Sequence, residues 1–222
     1  VSWLKIPWTP LALIGTAVAF VIGFQNNSAY GRIWEARMIW GGIVNTSRTF
    51  GVFIQDMVNN DYAQKPVGEA ELKKEIKTLT YRHIAWMTAL RHAMRMSKPW
   101  ETTVKHKTNQ EWNMRPPELD STLEKDIKPY ISENDFEYMM SKDNKQTALL
   151  YLQSHHLKQL KEKGVIWEFS FLELEGIIQE LFTQQGKSER IKNFPYPRQF
   201  ATLNHFFMWI FVLLLPLALV PQ

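Results

Sequence analysis

Asn26-Asn27-Ser28-Ala29-Tyr30-Gly31-Arg32-Ile33-Trp34-Glu35-Ala36-Arg37 continues without a break from apolar residues 8–24, which carry no ionisable side chain. With Ile6 and Pro7 ahead of it, that run approaches the roughly 20 residues an α-helix needs to cross a bilayer. A helix that leaves hydrocarbon and enters a dense arginine, glutamate and aromatic stretch needs a place where polar groups are satisfied, such as a pore or a subunit interface. The reading is therefore a membrane helix over about 6–24 that runs on outward. Residues 206–220 form a second uncharged apolar run, short enough that length alone also permits a buried core helix.

Average composition hides these runs. Hydrophobic residues at 45%, charged residues at 22% and a mean hydropathy of −0.28 describe an ordinary soluble protein with a substantial core. The apolar residues are instead concentrated at the two ends of the chain. The first run has no basic leader and no small-residue cleavage site, so it does not read as a signal peptide. Cysteine is absent, which removes disulfides and thiolate metal sites.

Arg32 and Arg37 follow the first run and Arg190, Lys192 and Arg198 precede the second, whereas only Lys5 lies beyond the opposite ends. The positive-inside bias places the middle segment, about 26–200, in the cytoplasm of a multi-pass cell-membrane protein. The same flanking charges account for the net charge of +4, and no basic aromatic stripe calls for nucleic acid as a partner.

The middle segment reads as helices joined by polar loops. The first helix is expected to end near Met57, where Asn59-Asn60-Asp61 and Pro66 follow. From Glu69 to Met96, residues Leu72, Ile76, Leu79, His83, Trp86, Leu90 and Met94 recur at three- and four-residue steps, the mark of a helix with one buried face. Residues 98–128 shift to Thr, Asn, Glu, Lys and Pro, an insertion read as a surface excursion with short helical pieces. Helices are predicted over 144–163, capped by Gly164, and over 168–185, ending at Gly186. With no sustained period-two alternation and no linker, the expectation is an all-α chain forming one domain over 1–222.

Enzyme signatures are missing: there is no phosphate-cradling glycine loop, no Gly-x-Ser-x-Gly elbow and no His-Glu-x-x-His pair. The chain is read as a non-enzyme without cofactor. His155 and His156 are adjacent and point about 100° apart on a helix, which is awkward for joint metal chelation, so no metal site is assigned. His83 and His92 read as packed or hydrogen-bonded interior histidines, and Glu173 and Glu175 as a solvated face. Thr16, Phe20 and Phe24 recur every four residues on the first run, a stripe that fits packing against neighbours or lipid as well as a pore lining. Gly15 and Gly23 suit close helix approach. Arg32 and Glu35, at i and i+3, can meet and partly neutralise each other.

Gly23-Phe24, Tyr30, Arg32, Trp34-Glu35-Ala36-Arg37, Trp40-Gly41 and Arg48 resemble the bestrophin family of ion channels, in particular its bacterial members. Glu189-Arg190-Ile191, Pro195-Tyr196-Pro197, His205 and the run Leu214 to Val220 agree, resembling the approach to a later membrane helix. The resemblance implies that the two apolar runs are the second and third of four membrane helices, and hence that the sequence is a fragment. It implies a homopentamer around one central pore, with Thr16, Phe20 and Phe24 as three positions of a hydrophobic neck. Thr16 departs from the pattern, since a hydroxyl stands where an apolar side chain is usual. A second, cytoplasmic aperture falls near Phe169, whose alternative reading is a core residue of its helix. Arg32, Glu35 and Arg37 are expected to organise the junction and subunit assembly. No calcium site is assigned.

The expected fold is bestrophin-like, with membrane helices continuous with a large cytoplasmic helical bundle. The expected function is passive conduction of chloride or other small anions. A sodium-conducting relative is the alternative within the family. A membrane-anchored helical interaction or signalling protein is the alternative from another class.

Overall fold

The structure is a computed structural model that describes residues 7–63, 65–99, 101, 107–111 and 116–219. Ile6 and Val220, at the outer limits of the two expected membrane helices, and residues 100, 102–106 and 112–115 of the 98–128 stretch therefore lie outside the described residues. Helix accounts for 82% of the described residues, which contain no strand. The long helices are α1 (Trp8–Met57), α2 (Glu69–Arg95), α6 (Lys145–Glu162), α7 (Glu168–Asn193) and α8 (Arg198–Ala218). Shorter ones are α3 (Lys107–Glu111), α4 (Leu123–Ile127) and α5 (Glu133–Met140), with 3-10 turns at Pro117–Leu119 and Lys128–Tyr130.

Two compact units divide the chain: Val1–Met38 with Ile191–Gln222, and Ile39–Arg190. In the first, Leu11, Gly15 and Val18 form one stripe of α1, with Leu11 and Val18 buried. A Cβ on Gly15 would come within 2.8 Å of the Phe211 ring of α8, so glycine lets the ring approach the helix backbone. Gly23 has no such neighbour, and the close approach expected there is not made within this chain. Both α1 and α8 are long and apolar enough to cross a membrane.

In the second unit, Ile39, Ile43, Phe50 and Ile54 of α1 are buried, as are Leu79, Trp86 and Leu90 of α2. Leu149, Leu157 and Leu160 of α6 complete this core with Leu174, Ile178 and Leu181 of α7. Capping sets the helix ends. Asn144, Ser132 and Thr122 accept from the backbone N–H groups of Thr147, Asp135 and Lys125, opening α6, α5 and α4. Gly164, at φ 75°, closes α6, with its N–H on the Lys161 carbonyl and the Val165 N–H on that of Leu160. The expected end of α1 is also met: Asn60 binds the N–H and carbonyl of Val67 through its side-chain amide, holding the turn that follows.

Two expectations change. Gly186 does not end α7, which continues to Asn193. One glycine inside a helix costs only about 1 kcal/mol, and Gln184, Gln185 and Glu189 are held in place on either side of it. Residues 98–128 are also less superficial than their composition suggests. Ile127 is fully buried, Asp126 binds His92 at 2.8 Å, and Glu118 receives Arg91 at 2.9 Å, so the end of this stretch packs on α2.

Candidate functional site

On α1, Thr16, Ala19, Phe20, Gly23, Phe24 and Asn27 line one shallow groove. At 100° per residue this face lies roughly opposite the Leu11–Gly15–Val18 stripe. Phe20 is 64% and Phe24 71% exposed, so the chain itself supplies neither ring with a packing partner that covers it. The Thr16 hydroxyl donates to the Ala12 carbonyl one turn back at 2.9 Å. Its hydrogen is committed to the helix, which leaves the methyl and the oxygen lone pairs facing the groove. Chemically, this face offers aromatic rings, a methyl group and a few weak dipoles, with no formal charge.

Phe169 lies in the first turn of α7 and is 62% exposed. The core alternative therefore does not hold. Its ring is 4.6 Å from Trp167, which in turn stacks on Tyr62 at 5.0 Å, giving an exposed aromatic cluster beside the Gly164 turn.

Arg32 has a role that spacing did not suggest. Its Nη1 donates to the Phe194 carbonyl at 2.7 Å and its Nη2 to the Ile191 carbonyl at 2.9 Å. The guanidinium thus satisfies carbonyls left over at the C-terminal end of α7, where the helix dipole also favours a cation. Arg37 is exposed and Glu35 half-buried on the same stretch.

Among the described residues no group of three histidine, aspartate or glutamate side chains is placed to hold a metal. His155 shares a hydrogen bond with Gln159, whereas His156 turns inward between Arg82 and Glu75. His83 packs between Phe50 and Trp86 with neither ring nitrogen hydrogen-bonded, and burial pushes its pKa down to about 4. His92 binds Asp126, whose carboxyl is held below its usual range by the Ser121 hydroxyl and then by His92. Glu175 departs from the expected solvated face: Ser154 donates to its Oε2 at 3.1 Å while its Oε1 is buried without a partner.

Glu189, read only as part of a motif, is the centre of a polar cluster. Its Oε1 accepts from Gln185 at 2.9 Å, Asn144 at 3.0 Å and Gln146 at 3.4 Å, while Trp86 Nε1 donates to Gln185 Oε1 at 3.1 Å. These bonds tie α2, α6 and α7 together.

The fold is all-helical with two helices of membrane length, and on α1 the Thr16–Phe20–Phe24 groove is uncharged, aromatic and exposed. Residues 1–222 match the model of the family described as bacterial and fungal bestrophin proteins, and the chain belongs to that family. The chain is 25% identical over 224 residues to the voltage-dependent anion channel-forming protein RSc3414 of Ralstonia nicotianae, covering 99% of this chain and 62% of the relative. It is 22% identical to the voltage-dependent anion channel-forming protein YneE of Escherichia coli, covering 98% of this chain and 60% of the relative. The chain thus spans about three fifths of the length of these relatives. A solved bestrophin homologue from Klebsiella pneumoniae superimposes with a TM-score of 0.76 at 20% identity, over 97% of this chain and 67% of that one.

Proposed function

We propose that this protein lines the pore of an anion channel that passes chloride and other small anions down their gradient. The observation that carries the reading is the exposed Thr16–Phe20–Phe24 face on a membrane-length helix, in a chain whose relatives are named as forming anion channels. Several copies of the protein surround that pore, as the bestrophin resemblance implies. Five copies is the number that the bestrophin resemblance implies.

In such a ring the Phe20 and Phe24 side chains form a narrow uncharged neck. An ion crosses it by shedding water or carrying water through, so conduction depends steeply on radius and wetting. Aromatic edges carry partial positive charge and favour an anion wherever they, rather than the ring faces, meet the pore. Thr16 adds a wettable position one turn before Phe20. Phe169 is assigned to a second aperture on the cytoplasmic side. Arg32, Glu35 and Arg37 organise the junction below the neck.

Replacing Phe20 and Phe24 together by alanine tests the neck. Single-channel recording of the full-length protein should show higher conductance or open probability. Unchanged currents from an intact assembly would remove both residues from the pore.

A further inference from the structure

Five charged or titratable side chains form a continuous chain through the second unit. Arg82 of α2 is nearly buried, and it donates through Nε and Nη2 to Asp135 Oδ2 of α5, at 3.2 and 2.7 Å. Its Nη1 lies 3.0 Å from His156 Nδ1 of α6 and 3.4 Å from Gln153 Oε1. His156 Nε2 is 3.0 Å from Glu75 Oε2 of α2, and Lys163, at the end of α6, reaches Glu75 Oε1 at 3.5 Å.

The chemistry of the partners fixes the histidine's protonation state. A guanidinium has no acceptor, so Nδ1 must offer its lone pair to Arg82, and Nε2 then carries the proton donated to Glu75. A second proton could go only onto Nδ1. There it would set one N–H against another, and one positive charge against another, in a half-buried place.

We propose that His156 is a proton-operated latch: taking up a proton at Nδ1 breaks its bond to Arg82 and loosens α5 and α6 from α2. Burial, Arg82 and Lys163 oppose that proton in the folded protein, while Glu75 favours it. The balance holds the pKa of His156 below its ordinary 6.5. The opened form, with an ordinary histidine, therefore binds the proton first. The latch is at full strength above about pH 6.5 and weakens as pH falls from there toward the folded value.

Hydrogen exchange of the α5 amides in the full-length protein in detergent, expressed as protection relative to the intrinsic rate at each pH, reads this opening. Protection should be level above about pH 6.5 and then fall by up to about tenfold per pH unit, the slope of one linked proton. In His156→Gln, whose amide can accept from Arg82 and donate to Glu75 without titrating, protection should stay level. Glu75→Gln keeps an acceptor for Nε2–H but removes the charge that favours the proton, so the decline should extend to lower pH. A level profile in the unmodified protein would overturn the proposal. So would an equal decline in His156→Gln, which would shift the effect to buried His83, present in both proteins. If His156→Gln does not fold, Glu75→Gln decides alone: a decline that does not reach lower pH would overturn the latch.

Discussion

Phe169 carries the sharpest contrast between a packing role and a pore role. Its ring is mostly exposed and touches Trp167, so truncation leaves no internal cavity. Phe169→Ala should lower stability by less than about 1 kcal/mol, against the roughly 3–5 kcal/mol typical of a core phenylalanine, while changing permeability ratios. Melting temperature and reversal potential measured on the same purified variant give both readouts. A large stability loss with unaltered permeation would contradict the assignment. At this scale the sequence was a partial guide. His83 and His92 are both interior, although their nine-residue separation is two and a half turns and sets them on opposite sides of α2, one against Phe50 and Trp86 and the other against Asp126. Glu175 was misread because its partner Ser154 lies 21 residues away on α6, and no local pattern announces a tertiary hydrogen bond. Arg82 was passed over for the same reason, since its partners Asp135 and His156 become neighbours only when α5 and α6 dock on α2.

Among the elements, α7 depends on a side chain from α1. Arg32→Ala removes two charge-assisted hydrogen bonds to the carbonyls of Ile191 and Phe194. Such bonds contribute about 1.5–3 kcal/mol each when protected, and the partial exposure of this pair lowers the figure toward about 1 kcal/mol. Arg32→Lys, with a single ammonium in place of the planar fork, should recover only part of the loss. Exchange of the amides in the last turn of α7 and the first turn of α8 is the direct readout. Unchanged protection there would show that the clamp does not hold the corner. Helix ends were legible where a single residue sets them, as with Asn144 and Gly164, because capping is a local interaction. Gly186 misled because its exposed position leaves α7 supported by the residues on either side of it. The 98–128 stretch misled in part, since a polar composition says little about one buried Ile127.

Over the whole molecule, the apolar runs, the all-α class and the family were readable because membrane length and local motif are both written in consecutive residues. The division into two units was not, because α1 and α7 each pass through it without a sequence break. Nor could spacing decide between lipid, protein and pore for the Thr16–Phe20–Phe24 stripe, as all three favour the same exposed apolar face. Channel activity with anion preference is the claim on which the other assignments depend. Recording the full-length protein in planar bilayers with a potassium chloride gradient tests it most directly. The current should reverse at a potential of the sign set by chloride equilibrium. Reversal toward the potassium potential, or no current from a correctly assembled protein, would contradict the account.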